Sequence, residues 1–261
     1  MNSGAAIDQF QWVISMISVC MAVFNGERYL KEQLQSILVQ MENDDEVIII
    51  DDCSRDGSAN LIKQFNDPRI VLRQNAVNCG PSAAFACAIS LAKGKYILFS
   101  DQDDIWKPFK VATICRIFDT TASLVVVSDA HVVDANRNIV CESLFNLRGS
   151  RPGFWRNLYK NGFVGCCMAM RSEAKSFLFP FPINVGLHDE WIGLCSSLGG
   201  HVNFTADKLI DYRRHGANAT QLAHGSLPSM IRKRLKLLLL VLCRLPRILI
   251  WRFRQKRSIA D

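Results

Sequence analysis

The chain has 261 residues, of which 49% are hydrophobic and 21% charged, a composition that excludes a disordered or collagen-like protein. Its formal net charge of +7 is unevenly placed, because residues 230–261 carry ten Lys and Arg and a single acid. Residues 1–229 therefore hold 21 bases and 23 acids, a net charge of −2. This division argues against a nucleic-acid-binding protein, whose bases usually cover a folded face.

Ten cysteines are scattered along the chain without a CxxC pair, and several lie within apolar runs. This usage predicts a reducing compartment and no zinc site. The first residues, MNSGAAIDQFQW, lack the basic and apolar regions of a signal peptide. We therefore expect a cytoplasmic protein.

Residues 14–100 alternate apolar, β-branched runs with segments of helical spacing. The predicted strands are 14–23, 47–50, 70–73 and 96–100. Helices are predicted between them, the last being a small-residue helix over 83–92. The alternation indicates βαβ units, a mostly parallel Rossmann-like sheet and flanking helices. Ligands of such sheets bind at the carboxyl ends of the strands.

Beyond residue 106 the pattern is less regular. It predicts a helix over 108–118, a strand over 124–127, a helix over 172–179 and another that begins at His188. We divide the chain into an N-terminal extension (1–13), an α/β domain (14–220) and a basic amphipathic tail (221–261).

Three acids, Asp101, Asp103 and Asp104, follow the fourth predicted strand directly. Carboxylates this close repel one another unless a cation or solvent compensates them, and oxygen-rich clusters suit Mg²⁺ or Mn²⁺. The alternative is a solvated acidic turn that caps the next helix. The position at a strand end, beside two other polar clusters, favours the metal site.

Asp51 and Asp52 end the second predicted strand, where a carboxylate can accept a hydrogen bond from a nucleotide base or ribose. The alternative is turn and cap chemistry, which Asp56 and the two residues after it provide. Neither GxGxxG after the first strand nor GxxxxGK[ST] occurs. Their absence disfavours a Rossmann oxidoreductase and a P-loop NTPase.

Asp189 and Glu190 open a predicted helix and offer a carboxylate for general-base chemistry, although two acids at a helix N-terminus are also favoured by the helix dipole alone. Cys166 and Cys167 follow Gly165. With no histidine close in sequence, we interpret both thiols as packing groups.

Taken together, these segments resemble the family 2 glycosyltransferases of the GT-A fold. The motifs that carry the resemblance, over about residues 14–218, are VCMAVFNG (19–26), IDDCSRDGS (50–58), SDQDDIW (100–106) with its DXD pattern, Gly165-Cys166, HDEW (188–191) and YRRH (212–215). DQDDIW and the YRxHGxN-like ending are most similar to the bacterial rhamnosyltransferase-type branch, which builds cell-surface polysaccharide such as lipopolysaccharide O-antigen. The QxxRW motif of processive members is absent, which favours single-sugar transfer.

The resemblance implies a role for each matching residue. Ala22, Phe24 and Glu27 would line the nucleotide pocket. Asp52, helped by Asp51, would bind the base, and Asp101 the ribose. Asp103, with Asp104 as a further contact, would ligate the metal ion, and His215 or Arg213 would approach the metal or the diphosphate. Asp189 would be the general base.

The implied activity is inverting hexosyl transfer from a dTDP- or UDP-sugar, with rhamnose favoured, to a glycan or lipid-linked acceptor, assisted by Mg²⁺ or Mn²⁺. A sugar-1-phosphate nucleotidyltransferase is the alternative enzyme, but it would need a Gly-rich basic loop after the first strand. A non-catalytic membrane scaffold is the third interpretation. Asp52, Asp103 and Asp189 together disfavour it.

The tail from Met230 combines basic residues with a helical stripe of leucines, and its longest apolar run, 237–243, is too short to span a bilayer. We expect a pair of interfacial helices, kinked at Pro246, on the anionic inner face of the cell membrane. The alternative is a helix that packs on the domain or pairs with another subunit.

Overall fold

A computed structural model describes residues 15–182, 185–215 and 227–260. The expected extension 1–13 and the domain boundary at residue 220 lie outside these ranges. The strands are β1 (Ile17–Val23), β2 (Glu46–Asp51), β3 (Ile70–Gln74), β4 (Tyr96–Ser100), β5 (Ile105–Trp106), β6 (Ser123–Val133), β7 (Ile139–Cys141), β8 (Met168–Arg171) and β9 (His201–Arg213). The α-helices are α1 (Glu27–Leu38), α2 (Ser58–Gln64), α3 (Pro81–Leu91), α4 (Lys110–Thr120), α5 (Leu144–Arg148), α6 (Phe154–Tyr159), α7 (Lys175–Leu178), α8 (His188–Gly199) and α9 (Leu227–Ala260).

One sheet organises the described chain, in the order β3-β2-β1-β4-β8-β6-β9-β5, with β7 added beside β6. Strands β3, β2, β1 and β4 are parallel, as the βαβ pattern predicts. Strand β8 runs antiparallel to both β4 and β6, and β9 runs parallel to β6. The predicted α/β fold class is confirmed.

The central strands are mostly apolar because helices cover both faces of the sheet. Every residue of β2 and β4 is buried. Helix α3 lies against β1 and β2, where Ala84 and Ala88 allow a close approach. Because β1 pairs in parallel with both β2 and β4, the carboxyl ends of these three strands lie side by side.

The basic tail forms one continuous helix, α9, in place of the expected helix pair, and it contains Pro246. It packs against α6, α7 and α8 and buries Leu237, Val241 and Ile248. The guanidinium of Arg244 donates to the carbonyl oxygen of Phe179 at 2.8 Å. The inward stripe therefore joins the core of the domain, as the packing alternative supposed.

The opposite side of α9 is also apolar. Its exposed side chains are Ile231, Leu235, Leu239, Leu242, Leu249, Ile250 and Phe253. None of the helices in the described ranges combines the length and apolar character needed to cross a bilayer.

Candidate active site

The loops that follow β1, β2 and β4 are joined by hydrogen bonds. The Gln102 side chain accepts from the Phe24 amide at 2.8 Å and donates to the Phe24 carbonyl oxygen at 3.1 Å. The amides of Asn25 and Gly26 donate to the hydroxyls of Ser54 and Ser58, both at 2.9 Å. The three polar clusters therefore lie together along one edge of the sheet, as their positions at strand ends predict.

Glu27, predicted to line the nucleotide pocket, holds two of these loops together. Its carboxylate accepts from the Gly57 amide at 2.9 Å, and its own amide donates to Asp56 at 3.1 Å. Of the other residues predicted here, Ala22 is partly buried and Phe24 is 46% exposed. Both lie at the carboxyl end of β1, beside this junction.

Asp51 and Asp52 are buried and hold the loop between β3 and α3. Asp52 accepts from the side-chain amide of Asn75 at 2.7 Å and from the backbone amides of Cys79 and Gly80 at 2.9 and 2.8 Å. Asp51 accepts from Ser54 and Gln74. Their first role is therefore to hold this loop beside the carboxyl end of β2.

Asp101 and Asp104 approach a third group that the sequence suggested only for packing. Their carboxylate oxygens and the Cys166 sulfur lie within 4.8 Å of one another. Burial raises the pKa of Asp101 to about 7, with a further contribution from the charge of Asp103. Burial likewise raises the pKa of Asp104 well above its usual range.

The second oxygen of Asp104 is unsatisfied. Asp104 is 1% exposed, and its Oδ1 accepts from the Arg213 amide at 2.9 Å. Its Oδ2 is buried and has no hydrogen-bond partner among the described residues. An orphan carboxylate oxygen beside a second carboxylate and a thiol fits a bound cation, since an uncompensated buried charge is costly.

Asp103 lies beside His215, with Oδ2 and Nε2 separated by 2.9 Å. The His215 ring stacks on Tyr29, with the ring centroids 4.7 Å apart. Asp103 and His215 are both largely buried, at 15% and 13% side-chain exposure. Two of the three residues predicted as metal ligands, Asp103 and His215, are therefore in contact. The third, Asp104, is grouped with Asp101 and Cys166.

Arg213, predicted to approach the diphosphate, is 3% exposed. Its guanidinium donates to Glu32 at 2.6 Å and to the carbonyl oxygen of Asp103 at 3.0 Å. It also lies over the Tyr29 ring, 4.6 Å from the centroid. Arg213 therefore fixes the position of the acidic loop against α1.

Lys110 is a site residue that the sequence did not suggest. It is 1% exposed, its Nζ donates to the Cys166 carbonyl oxygen at 3.0 Å, and it lies 4.0 Å from the centroid of the Trp106 ring. Burial lowers its pKa to about 8. In the sequence, Lys110 is marked only by its place four residues after Trp106. This spacing does not predict their contact, because Trp106 ends β5 and Lys110 begins α4.

Asp189 lies in the first turn of α8 and is 7% exposed. Its Oδ1 accepts from the Glu190 amide at 2.7 Å, and its Oδ2 lies 3.4 Å from the side-chain amide of Asn161. Burial is the largest cause that raises its pKa to about 7, and the charge of Glu190 adds to it. The charge of Asp189 in turn helps to raise the pKa of Asp101.

Gly165 lies close to Asp189, and the next residue, Cys166, belongs to the acidic cluster. A Cβ on Gly165 would lie 2.8 Å from Nε2 of His188 and 3.9 Å from the Cβ of Asp189. His188 is stacked on Phe85, with centroids 3.9 Å apart, and burial lowers its pKa to about 3. Glycine is therefore needed at position 165, because any side chain there would collide with the imidazole of His188.

The sequence matches known glycosyltransferases. Residues 18–178 match the family model for glycosyl transferase family 2. An uncharacterized glycosyltransferase of Nostoc sp. is 28% identical over 211 residues, 77% of this chain and 66% of the relative. An Escherichia coli UDP-Glc:α-D-GlcNAc-diphosphoundecaprenol β-1,3-glucosyltransferase is 32% identical over 107 residues, 41% of this chain and 43% of the relative. The chain thus spans less than two thirds of the length of both relatives.

The fold resembles that of Staphylococcus aureus TarS residues 1–349, solved in complex with UDP-GlcNAc. The TM-score is 0.67 at 20% identity, and the match covers 88% of this chain and 66% of that one. The GT-A architecture predicted from the motifs is thereby confirmed.

Proposed function

Because the chain belongs to glycosyl transferase family 2, we propose that it transfers a single sugar from a nucleoside-diphosphate sugar to the hydroxyl of a lipid-linked or growing cell-surface glycan, with inversion. The observation that carries this proposal is the placement of Asp189. This buried carboxyl, with a pKa of about 7, faces an acidic cluster suited to a cation. The glucosyltransferase relative acts, by its name, on a diphosphate-linked lipid, which supports an acceptor of that class.

The reaction requires one displacement at the anomeric carbon. Asp189 accepts the proton of the acceptor hydroxyl as the oxygen forms its bond to that carbon. The bond between the carbon and the phosphate oxygen breaks, and the nucleoside diphosphate leaves with the electron pair. A base with a pKa near the working pH is the most efficient, which suits Asp189.

The leaving diphosphate would lie at the acidic cluster, near the carboxyl ends of β1, β2 and β4. Asp103, Asp104 and His215 would hold Mg²⁺ or Mn²⁺, with Asp101 contacting the ribose. When bound there, the cation would neutralise the charge that develops on the leaving group. The wall shaped by Asp51 and Asp52 would receive the base, and Ala22, Phe24 and Glu27 would border it. A dTDP- or UDP-sugar is proposed as donor, with rhamnose favoured by the DQDDIW motif.

A thermal-shift screen tests this function, because a ligand that binds only the folded protein raises its melting temperature. We expect dTDP- or UDP-sugars with Mn²⁺ to raise it, and slow hydrolysis of the same sugar to follow. Sugar-1-phosphate and nucleoside triphosphate are the matched probes for a nucleotidyltransferase. Stabilisation by that pair alone, or by none of these ligands, would contradict glycosyl transfer.

The rate should depend on pH through Asp189. A carboxyl accepts a proton only when ionised, so kcat/KM is expected to rise about tenfold per pH unit below pH 7 and to level off above it. The measurement is the initial rate from about pH 5 to about pH 9 at saturating metal. A profile that is flat between about pH 5 and about pH 7 would show that another group takes the proton.

The protein is proposed to lie on the anionic inner face of the cell membrane through the outward side of α9. This side combines the exposed apolar side chains with exposed bases such as Arg232, Lys236 and Arg254. Such a helix lies in the plane of the interface. Because the opposite side of α9 is part of the core, deletion of the tail would damage the domain, and point variants are the better test.

We expect the triple variant Leu235→Gln, Leu239→Gln, Leu242→Gln to bind phosphatidylglycerol vesicles at least about tenfold more weakly, since it removes apolar area from the lipid contact. Vesicle cosedimentation measures this affinity. The matched control replaces three exposed valines, Val39, Val77 and Val140, with glutamine. Equal affinity of the two triple variants would argue that α9 contacts no lipid.

A further inference from the structure

The segment from α5 through α6 is rich in basic residues. Residues 144–165 contain no acid and four bases, Arg148, Arg151, Arg156 and Lys160. Among the ion pairs of the described residues, none involves these four side chains. Within the described part of the chain, these four side chains therefore have no carboxylate within ion-pair distance, and Arg148 acts on Asp189 only at longer range.

Two of these cations converge on one point. Gly149 ends α5 with a φ of 71°, and the Nη2 of Arg156 and the Nζ of Lys160 both lie 3.7 Å from the position that a Cβ would take there. Arg156 also donates to the Gly149 carbonyl oxygen at 3.1 Å, which fixes its guanidinium. The absent side chain of Gly149 leaves room between two cations for an anion.

An aromatic pair borders these cations. Trp155 and Tyr159 are 73% and 82% exposed, and their spacing of four residues places them on the same side of α6. Tryptophan and tyrosine with one apolar and one polar end are typical of the headgroup region of a membrane. The pair stands on α6, which packs against α9, the helix proposed to contact lipid.

The same segment reaches the general base. Asn161, two residues after Tyr159 and hence within about 7 Å of it along the chain, lies 3.4 Å from Asp189 through its side-chain amide. Arg148 is close enough that its charge lowers the pKa of Asp189. Residues 148–161 thus carry the cations and the exposed aromatic rings and end at Asn161, which contacts the buried Asp189.

We propose that Arg156 and Lys160, flanked by Trp155 and Tyr159, bind the diphosphate of a polyprenyl-diphosphate-linked sugar, the acceptor of the transfer. The two cations match the charge of a diphosphate, and the aromatic pair lies where its prenyl chain enters the bilayer. This arrangement would direct the sugar of the acceptor toward Asp189. The proposal rests on the proposed function, since it names the acceptor of that reaction.

The test uses the full chain and phosphatidylcholine vesicles that carry either a polyprenyl diphosphate, a polyprenyl monophosphate or phosphatidylglycerol at equal charge. Arg156→Gln with Lys160→Gln should weaken binding to the diphosphate vesicles on the order of tenfold to a hundredfold, because two contacts to a charged group are lost. It should weaken binding to phosphatidylglycerol vesicles less than twofold. Trp155→Ala should weaken retention on the diphosphate vesicles severalfold.

The controls are Lys63→Gln with Lys93→Gln, two exposed bases elsewhere, and Phe109→Ala, which removes an aromatic ring that is 75% exposed. Unchanged melting temperatures show that each variant folds. Equal loss for phosphatidylglycerol vesicles would identify a surface for anionic phospholipid instead, and no loss relative to the controls would also overturn the proposal. Nucleotide-sugar hydrolysis by the unaltered protein, measured in parallel, reports on the proposed function alone.

Discussion

Asp189→Asn is expected to lower turnover by roughly 10²–10⁴-fold, the range that general-base catalysis contributes. The amide has nearly the same shape and still accepts from the Glu190 amide, but it cannot take a proton from the acceptor. Nucleotide-sugar binding should remain within about twofold, because no donor contact is assigned to this residue. Initial rates and thermal shifts with the donor measure the two quantities. Asp44→Asn, an exposed acid far from the pocket, is the control.

The free energy of unfolding of Asp189→Asn, measured against pH, shows whether this variant folds. The raised pKa of Asp189 means that the folded protein binds this proton more tightly than the unfolded chain. The free energy of unfolding therefore falls as pH rises from about 4 to about 7, by at most on the order of 4 kcal/mol. The asparagine of Asp189→Asn does not ionise, so the variant avoids this loss of stability. It should be at least as stable as the natural protein at pH 8. A variant that is less stable there, or that loses donor affinity in proportion to rate, would assign Asp189 to structure or donor binding.

Asp103→Asn is expected to lower activity on the order of 10²–10⁴-fold, since metal-ion stabilisation of a leaving group is worth several kcal/mol. A second measurement is the affinity for the nucleotide with and without Mn²⁺. Mn²⁺ should raise the affinity of the unaltered protein for UDP or dTDP, and EDTA should abolish that gain. In Asp103→Asn the nucleotide should bind equally with and without Mn²⁺.

Asp207→Asn, an exposed acid on β9, is the matched control and should keep the response to Mn²⁺. An Asp103→Asn protein that retains the metal-dependent gain in nucleotide affinity would move the cation to Asp101, Asp104 and Cys166. Loss of nucleotide affinity in both the presence and absence of metal would instead show that the Asp103 contact with His215 shapes the pocket.

The sequence was most informative about the sheet and about the acids at its strand ends. Strands β1, β2 and β4 are mostly apolar and buried, so their pattern locates them within a few residues, and parallel pairing then brings Asp52 and Asp103 to one edge. This follows from local pattern and from the rules of βαβ connection alone. The assignment of each acid to base, ribose or metal rests on the family resemblance and stays a prediction.

Side-chain partners from distant segments could not be predicted in the same way. Cys166 has the sequence surroundings of a packing thiol, and its contact with Asp104 depends on how β8 inserts between β4 and β6. Asp52 accepts from loop residues near Asn75 that have no recognisable pattern. The sequence of the tail predicts an amphipathic helix with one apolar stripe. It does not predict that a second apolar stripe, on the opposite side of α9, packs against α7 and α8.

The separation of charge along this chain has a consequence for how the protein meets a surface. Ten bases gathered near one helix and a net negative remainder give the molecule a large permanent dipole moment. At the anionic membrane proposed as its location, the field of the lipid would exert a torque on this dipole moment. The protein would then be turned with α9 toward the bilayer before contact. The ion pair of Arg234 with Glu190, at 2.5 Å, lies next to Asp189. On the proposed function, this orientation would set the Asp189 carboxyl within reach of an acceptor hydroxyl held just above the lipid headgroups.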